Sequence, residues 1–114
     1  MKKLLILPFI IIHLFAATYT STEAKSHIGD FAAICGKVYQ VYFTRKGHIF
    51  LNIDGRYPNN KAAFVIWKKY KNSFDLKKIE SLENKNICAE GIIREYRGKP
   101  EIFLKESSQI KIGK

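Results

Sequence analysis

Ala32, Ile34, Gly36 and Val38 recur at every second position of the stretch Asp30–Phe43. That period belongs to a strand, whose side chains alternate between two faces. Ile87, Ala89, Gly91 and Ile93 repeat the spacing, again with glycine third. Glycine is a poor strand former and marks a bulge, a bend or a close backbone approach. The pattern predicts two glycine-bent strands, Phe31–Phe43 and Lys85–Tyr96, suited to a small, strongly curved barrel. Between them, Ile49, Leu51 and Ile53 alternate with His48, Phe50 and Asn52, which predicts a strand over His48–Asp54. Ala62–Trp67 is rich in β-formers and reads as a third strand, and Glu101–Lys105 as the last, with Ile102 and Leu104 on one face. Leu76, Ile79 and Leu82 have helical spacing, with Asp75 or Ser73 as the cap. Turns are expected at Thr44–Gly47, at Asp54-Gly55 with Pro58-Asn59-Asn60, and at Arg97–Pro100. Thr18–His27 reads as a polar, flexible tail, and Ser107–Ile112 as a brief closing extended stretch.

The order β-β-β-α-β-β is that of a five-stranded Greek-key OB-fold barrel with a helix between strands three and four. The fold class expected is all-β with one short helix.

The N-terminus changes the domain count. Lys2 and Lys3 precede the apolar run Leu4–Ala17, and Thr22-Glu23-Ala24 offers small residues for a peptidase. This is a secretory signal pattern, so residues 1–24 are expected to be a signal peptide and 25–114 the OB-fold domain, secreted or periplasmic. A cut nearer Thr18 is the alternative. An uncleaved anchor is disfavoured because the run is shorter than about 20 residues and holds Pro8 and His13. The mature domain is small, and a staple would help it. Its two cysteines, Cys35 and Cys88, are either a disulfide or two buried thiols. The first and fourth strands of an OB-fold are neighbours, which favours the bridge.

Charge narrows the partners. The chain has 20 Lys+Arg against 10 Asp+Glu. Removing Lys2, Lys3 and Glu23 leaves 18 against 9. Such an excess attracts polyanions: nucleic acid, anionic lipid or acidic glycan. It also serves solubility alone. Catalysis finds no support. His13, His27 and His48 form no HxxxH or HExxH pattern, there is no GxSxG, and the cysteines lack a CxxC partner for zinc. No enzyme activity, cofactor or metal is expected.

Several segments resemble known domains. They are Gly29 with Cys35-Gly36-Lys37-Val38, Gly47-His48-Ile49-Phe50-Leu51-Asn52-Ile53, Tyr57-Pro58 and Phe64-Val65-Ile66-Trp67. Cys88-Ala89-Glu90-Gly91-Ile92-Ile93 and Tyr96-Arg97-Gly98-Lys99-Pro100-Glu101-Ile102 follow. Together they resemble the bacterial OB-fold nucleic-acid-binding domains, some alone in secreted proteins and others attached to secreted nucleases. The resemblance covers Ile28–Ile110 and supplies no catalytic residue.

OB-fold ligands lie across strands two and three, framed by the 1–2 and 4–5 loops. There the chain offers Tyr42, Arg45, Lys46 and His48, then Phe50, then Trp67 and Lys69 beside Lys68, Tyr70 and Lys71. The 4–5 connection adds Arg94, Tyr96, Arg97 and Lys99. Basic and aromatic residues interleaved in this way suit a single strand with little sequence preference, since bases stack and phosphates pair. Phe50 and Trp67 are equally placed to be packing residues, Tyr57 to pack its turn, and the basic residues to be solvated. The expectation is non-catalytic binding of nucleic acid, single-stranded by preference. The alternative is an exported module for an oligosaccharide or a protein partner.

Overall fold

The computed structural model describes residues 16–113. The segment up to Phe15, which carries most of the signal-peptide expectation, lies outside the described residues. Eight strands form one path-like sheet system: β1 (Ala17–Thr20), β2 (Phe31–Phe43), β3 (Ile49–Ile53), β4 (Ala62–Ile66), β5 (Asn86–Ile92), β6 (Arg94–Tyr96), β7 (Lys99–Phe103) and β8 (Ile110–Ile112). Their order is β6-β7-β4-β3-β2-β5-β8, with β1 added in parallel to β2. The five expected strands are β2, β3, β4, β5 and β7, and the helix α1 (Leu76–Glu80) lies between β4 and β5. Asp75 caps that helix by accepting from the amides of Lys77 and Lys78.

The expectation of five strands in a closed barrel is corrected: there are eight, and no ladder joins β5 to β7 among the described residues. Gln109 spans that seam instead, its amide donating to Glu90 O at 2.9 Å and Phe103 O at 3.0 Å. Gly91 lets the two strands close in, because a Cβ there would lie 2.8 Å from Ile102.

The bend in β2 follows from the other glycine. Phe31–Lys37 pairs with β5 and Val38–Phe43 with β3, so one strand serves both halves. A Cβ at Gly36 would sit 2.4 Å from Ile53 and 2.6 Å from the Asp54 carboxylate. That carboxylate accepts from the Lys37 amide at 3.0 Å and from the Ser21 hydroxyl. Tyr39 is the extra residue where the register to β3 shifts. The inward side chains Ile34, Leu51, Phe64, Ile87 and Ile102 are fully or almost fully buried in a single core. Cys35 and Cys88 face each other across β2 and β5 and are bonded.

Two further expectations change. Lys85–Tyr96 is not one strand: at Ile93 the backbone bonds to Gly29 and Asp30, and β6 leaves to pair with β7. Thr18–His27 is not a loose tail. Thr20 and Glu23 cap one another reciprocally, Ala24 is fully buried, and the Tyr19 ring stacks on His27 at 3.7 Å. Thr20-Ser21-Thr22-Glu23 is a capping-box pattern that was readable in the sequence. The boundary expected after Ala24 thus falls within packed structure.

Candidate functional site

The register of four ladders lays one row of side chains across five strands: Gln40 on β2, Asn52 on β3, Ala63 on β4, Glu101 on β7 and Arg94 on β6. A second row runs Tyr42, Phe50, Val65, Phe103. Opposite partners in a ladder point to one face, and neighbours along a strand alternate. The core takes Leu51, Phe64 and Ile102; these two rows are therefore the outer face.

Trp67 leaves the end of β4 onto this face. It meets His48, Phe50 and Phe103 edge-on at 4.9, 6.3 and 5.3 Å between ring centres. Phe50 and Trp67 are half-buried members of an outer aromatic cluster, outside the core. His48 is held by the Lys68 amide, which donates to its Nδ1 at 3.0 Å.

Polar residues brace the rest. Asn52 Nδ2 donates to Gln40 Oε1 at 2.9 Å, and Asn60 Nδ2 donates to Asn52 Oδ1 at 3.3 Å. Lys99 Nζ donates to Asn60 Oδ1 at 2.8 Å and to Pro58 O. This chain of amides ties the 54–61 loop to β2, β3 and β7. It fixes Tyr57, whose amide also donates to Gln40 Oε1 at 3.1 Å.

A cavity of about 320 Å³ opens here, floored by Phe50, Asn52, Ala63 and Glu101 and walled by Tyr57, Tyr96, Arg97 and Lys99. A second hollow of about 290 Å³ adjoins it through Phe50, Asn52 and Tyr57 and reaches Tyr42. Ala63 leaves the room, being the small residue at the centre of its row.

Tyr42, His48, Phe50, Trp67, Arg94, Tyr96 and Lys99 lie on this face or its rim. Arg97 stands in the β6–β7 turn, its guanidinium 5.2 Å from the Tyr96 ring centre. Arg45 and Lys46 are exposed in the β2–β3 turn. Lys69 is exposed beside Tyr70, beyond the end of β4. Sequence reasoning did not include Gln40, Asn52, Tyr57, Asn60, Ala63, Phe103 and Glu101 among site residues. Asn52 carried a signal, since it shares the alternation of Phe50. Glu101 carried none, because a carboxylate at a strand start reads as exposed.

Glu101 is only 8% exposed. Among the described residues the one side-chain ion pair is His27–Asp30; no side-chain oxygen is both buried and without a partner, so the Glu101 carboxylate, which takes no donor, still reaches solvent. Burial pushes its carboxyl above the usual carboxylate range, and the Arg94 charge opposes this in part. The folded protein therefore holds this proton more tightly than the unfolded chain. Stability is fullest below the ordinary value and falls as pH rises through the raised one. Glu101→Gln is expected to raise the unfolding midpoint near neutral pH and to flatten its decline from acid to neutral. Thermal melts across that range check it; a variant less stable at neutral pH would mean that the charge is compensated.

No protein-family model matches the chain, and no curated protein matches it in sequence. Its structure is similar to a chain of the S. pombe Stn1–Ten1 complex, with TM-score 0.53 and 14% identity over 73% of this chain and 57% of that one. It is also similar to asparaginyl-tRNA synthetase from Entamoeba histolytica, with TM-score 0.60 and 16% identity over 86% of this chain and 24% of that one. OBody AM2EP06 bound to hen egg-white lysozyme gives TM-score 0.52 and 13% identity over 81% and 88%. The chain spans just over half the length of the first and about a quarter of the second. Likeness at such identities is a likeness of fold, and the fold is OB-like.

Proposed function

We propose that this protein is an exported, non-catalytic domain of the bacterial OB-fold type that binds single-stranded nucleic acid. The observation that carries the reading is the outer face itself. Tyr42, Phe50, Tyr57 and Tyr96 share two adjoining hollows with Arg97 and Lys99. Stacked rings take bases and the cations follow the phosphates. The net charge of +10 acts in the same direction. One relative in fold is part of a tRNA synthetase, a protein whose name carries an RNA substrate. The Cys35–Cys88 bridge suits an oxidising compartment, and no helix among the described residues is long and apolar enough to cross a membrane.

A second reading has one observation of its own: the OBody shares this fold and is bound to a protein. Salt separates the two. A fluorescent oligo-dT titrated with the oxidised protein at rising salt should lose affinity along a straight log–log line, with a slope of about −0.7 per phosphate contacted. Quenching of Trp67, the chain's single tryptophan, should accompany binding. Absence of binding at low salt would overturn the nucleic-acid reading in favour of a protein or glycan ligand.

A further inference from the structure

We infer that the cavity over Ala63 is a base-reading pocket in which Glu101 selects guanine. The inference rests on the nucleic-acid reading and departs from the expectation of little sequence preference.

The outer face splits into two parts of different chemistry. Around Trp67 the rings offer stacking alone, which every base accepts. Around Ala63 the floor sets the polar side chains of Asn52 and Glu101 beside Phe50. Glu101 lies there more than nine-tenths buried, lining the cavity, with no hydrogen-bond partner among the described residues. No donor of the protein reaches the carboxylate, and its oxygens are not sealed from solvent, so a ligand bringing two N–H groups to the cavity could pair with both of them. The charges around it come from three sides: Arg94 opposite on β6, Arg97 in the turn and Lys99 two residues earlier on β7. Arg94 also lies over Phe103, 4.6 Å from its centre.

Guanine alone among the common bases carries two adjacent donors, N1–H and N2–H, on its pairing edge. Two carboxylate oxygens match that pair. The O6 acceptor next to N1 then needs a cation or amide donor, and Lys99 and Asn52 line the same cavity. Adenine and cytosine present a donor beside an acceptor lone pair, which a carboxylate repels. Thymine flanks its one N–H with two carbonyls. The exposed rings of Tyr57 and Tyr96 stand at the walls to cover the base, and about 320 Å³ is within the range of small-ligand sites.

The test uses the oxidised protein and a dT oligonucleotide with one central position set to dG, dI, dA or dC. Inosine keeps N1–H and O6 but lacks the N2 amine. A bidentate pair discriminates by roughly tenfold or more, so the expected order is dG tightest, dI intermediate, and dA, dC and all-dT weakest. Glu101→Gln should remove the dG preference, so that the dG oligonucleotide binds no more tightly than the dI, dA, dC and all-dT ones. Ala63→Leu, which fills the cavity and keeps the carboxylate, should likewise erase the difference between dG and the other bases. The dG preference of the unaltered protein should fade as pH falls and Glu101 takes up its proton, and the Glu101→Gln variant should show no such fading. Salt-dependent binding of all oligonucleotides with no dG preference, or a preference that survives Glu101→Gln, would overturn the guanine pocket alone. No binding of any oligonucleotide at low salt would overturn the nucleic-acid reading and this inference with it.

Discussion

Replacing Cys35 and Cys88 together by alanine is expected to cost this protein about 4 kcal/mol of stability. The two residues are 53 apart in sequence, and cross-linking a loop of that length removes about 4 kcal/mol of chain entropy from the unfolded state at 25 °C. The loop holds β3, β4 and α1, so the bridge constrains much of what must assemble into the core. It also pins β2 to β5 where β2 is about to bend away toward β3. For a domain of this size the loss corresponds to a fall in melting temperature of about 20 °C. Guanidinium unfolding of the oxidised protein, the reduced protein and the double variant would measure it. A loss below about 1 kcal/mol in both altered forms would show that the ladders and core hold the fold without the staple.

The second large effect concerns affinity. Replacing Arg45, Lys46 and Arg97 together should lower the salt slope for oligo-dT by about 2 and the affinity at 0.1 M salt by about a hundredfold. All three are exposed in turns flanking the outer face. Arg97 has φ of +52°, where alanine is strained and asparagine is tolerated. The appropriate variant is therefore Arg45→Ala/Lys46→Ala/Arg97→Asn. Lys99 stays in place, because its ammonium is bonded to Pro58 O and Asn60 Oδ1 and its loss would loosen the loop. Melting temperature should remain within a few degrees. An unchanged slope with binding intact would move the phosphate track elsewhere, toward the Lys68–Ser73 segment.

Particular residues show how far the sequence reached. The alternation of Ile49, Leu51 and Ile53 against Phe50 and Asn52 identified both faces of β3 correctly, because strand period is a local property. The glycines at 36 and 91 announced close approaches, which the structure places against Ile53 and Ile102. Asp75 announced the helix start. Other features are not local. The break at Ile93 arises because its backbone groups bond to Gly29 and Asp30, some sixty residues earlier in the chain. The Arg97-Gly98 turn, with φ of +52° and +81°, carries Lys99 and Pro100 into β7 where a longer turn was expected.

Sequence alone therefore determined the strand inventory of the OB-like core, its curvature, the cysteine pair and the basic, aromatic character of the chain. These depend on residue type and short-range spacing. Only the tertiary structure decided which of those residues share a face. The parallel pairing of β4 with β7 brings Ala63 beside Glu101 across 38 positions of sequence, and β6 adds Arg94 to the same row. Nothing in the neighbourhood of Glu101 along the chain marks it as buried. Its surroundings come from four strands, and burial is a property of the assembled sheet.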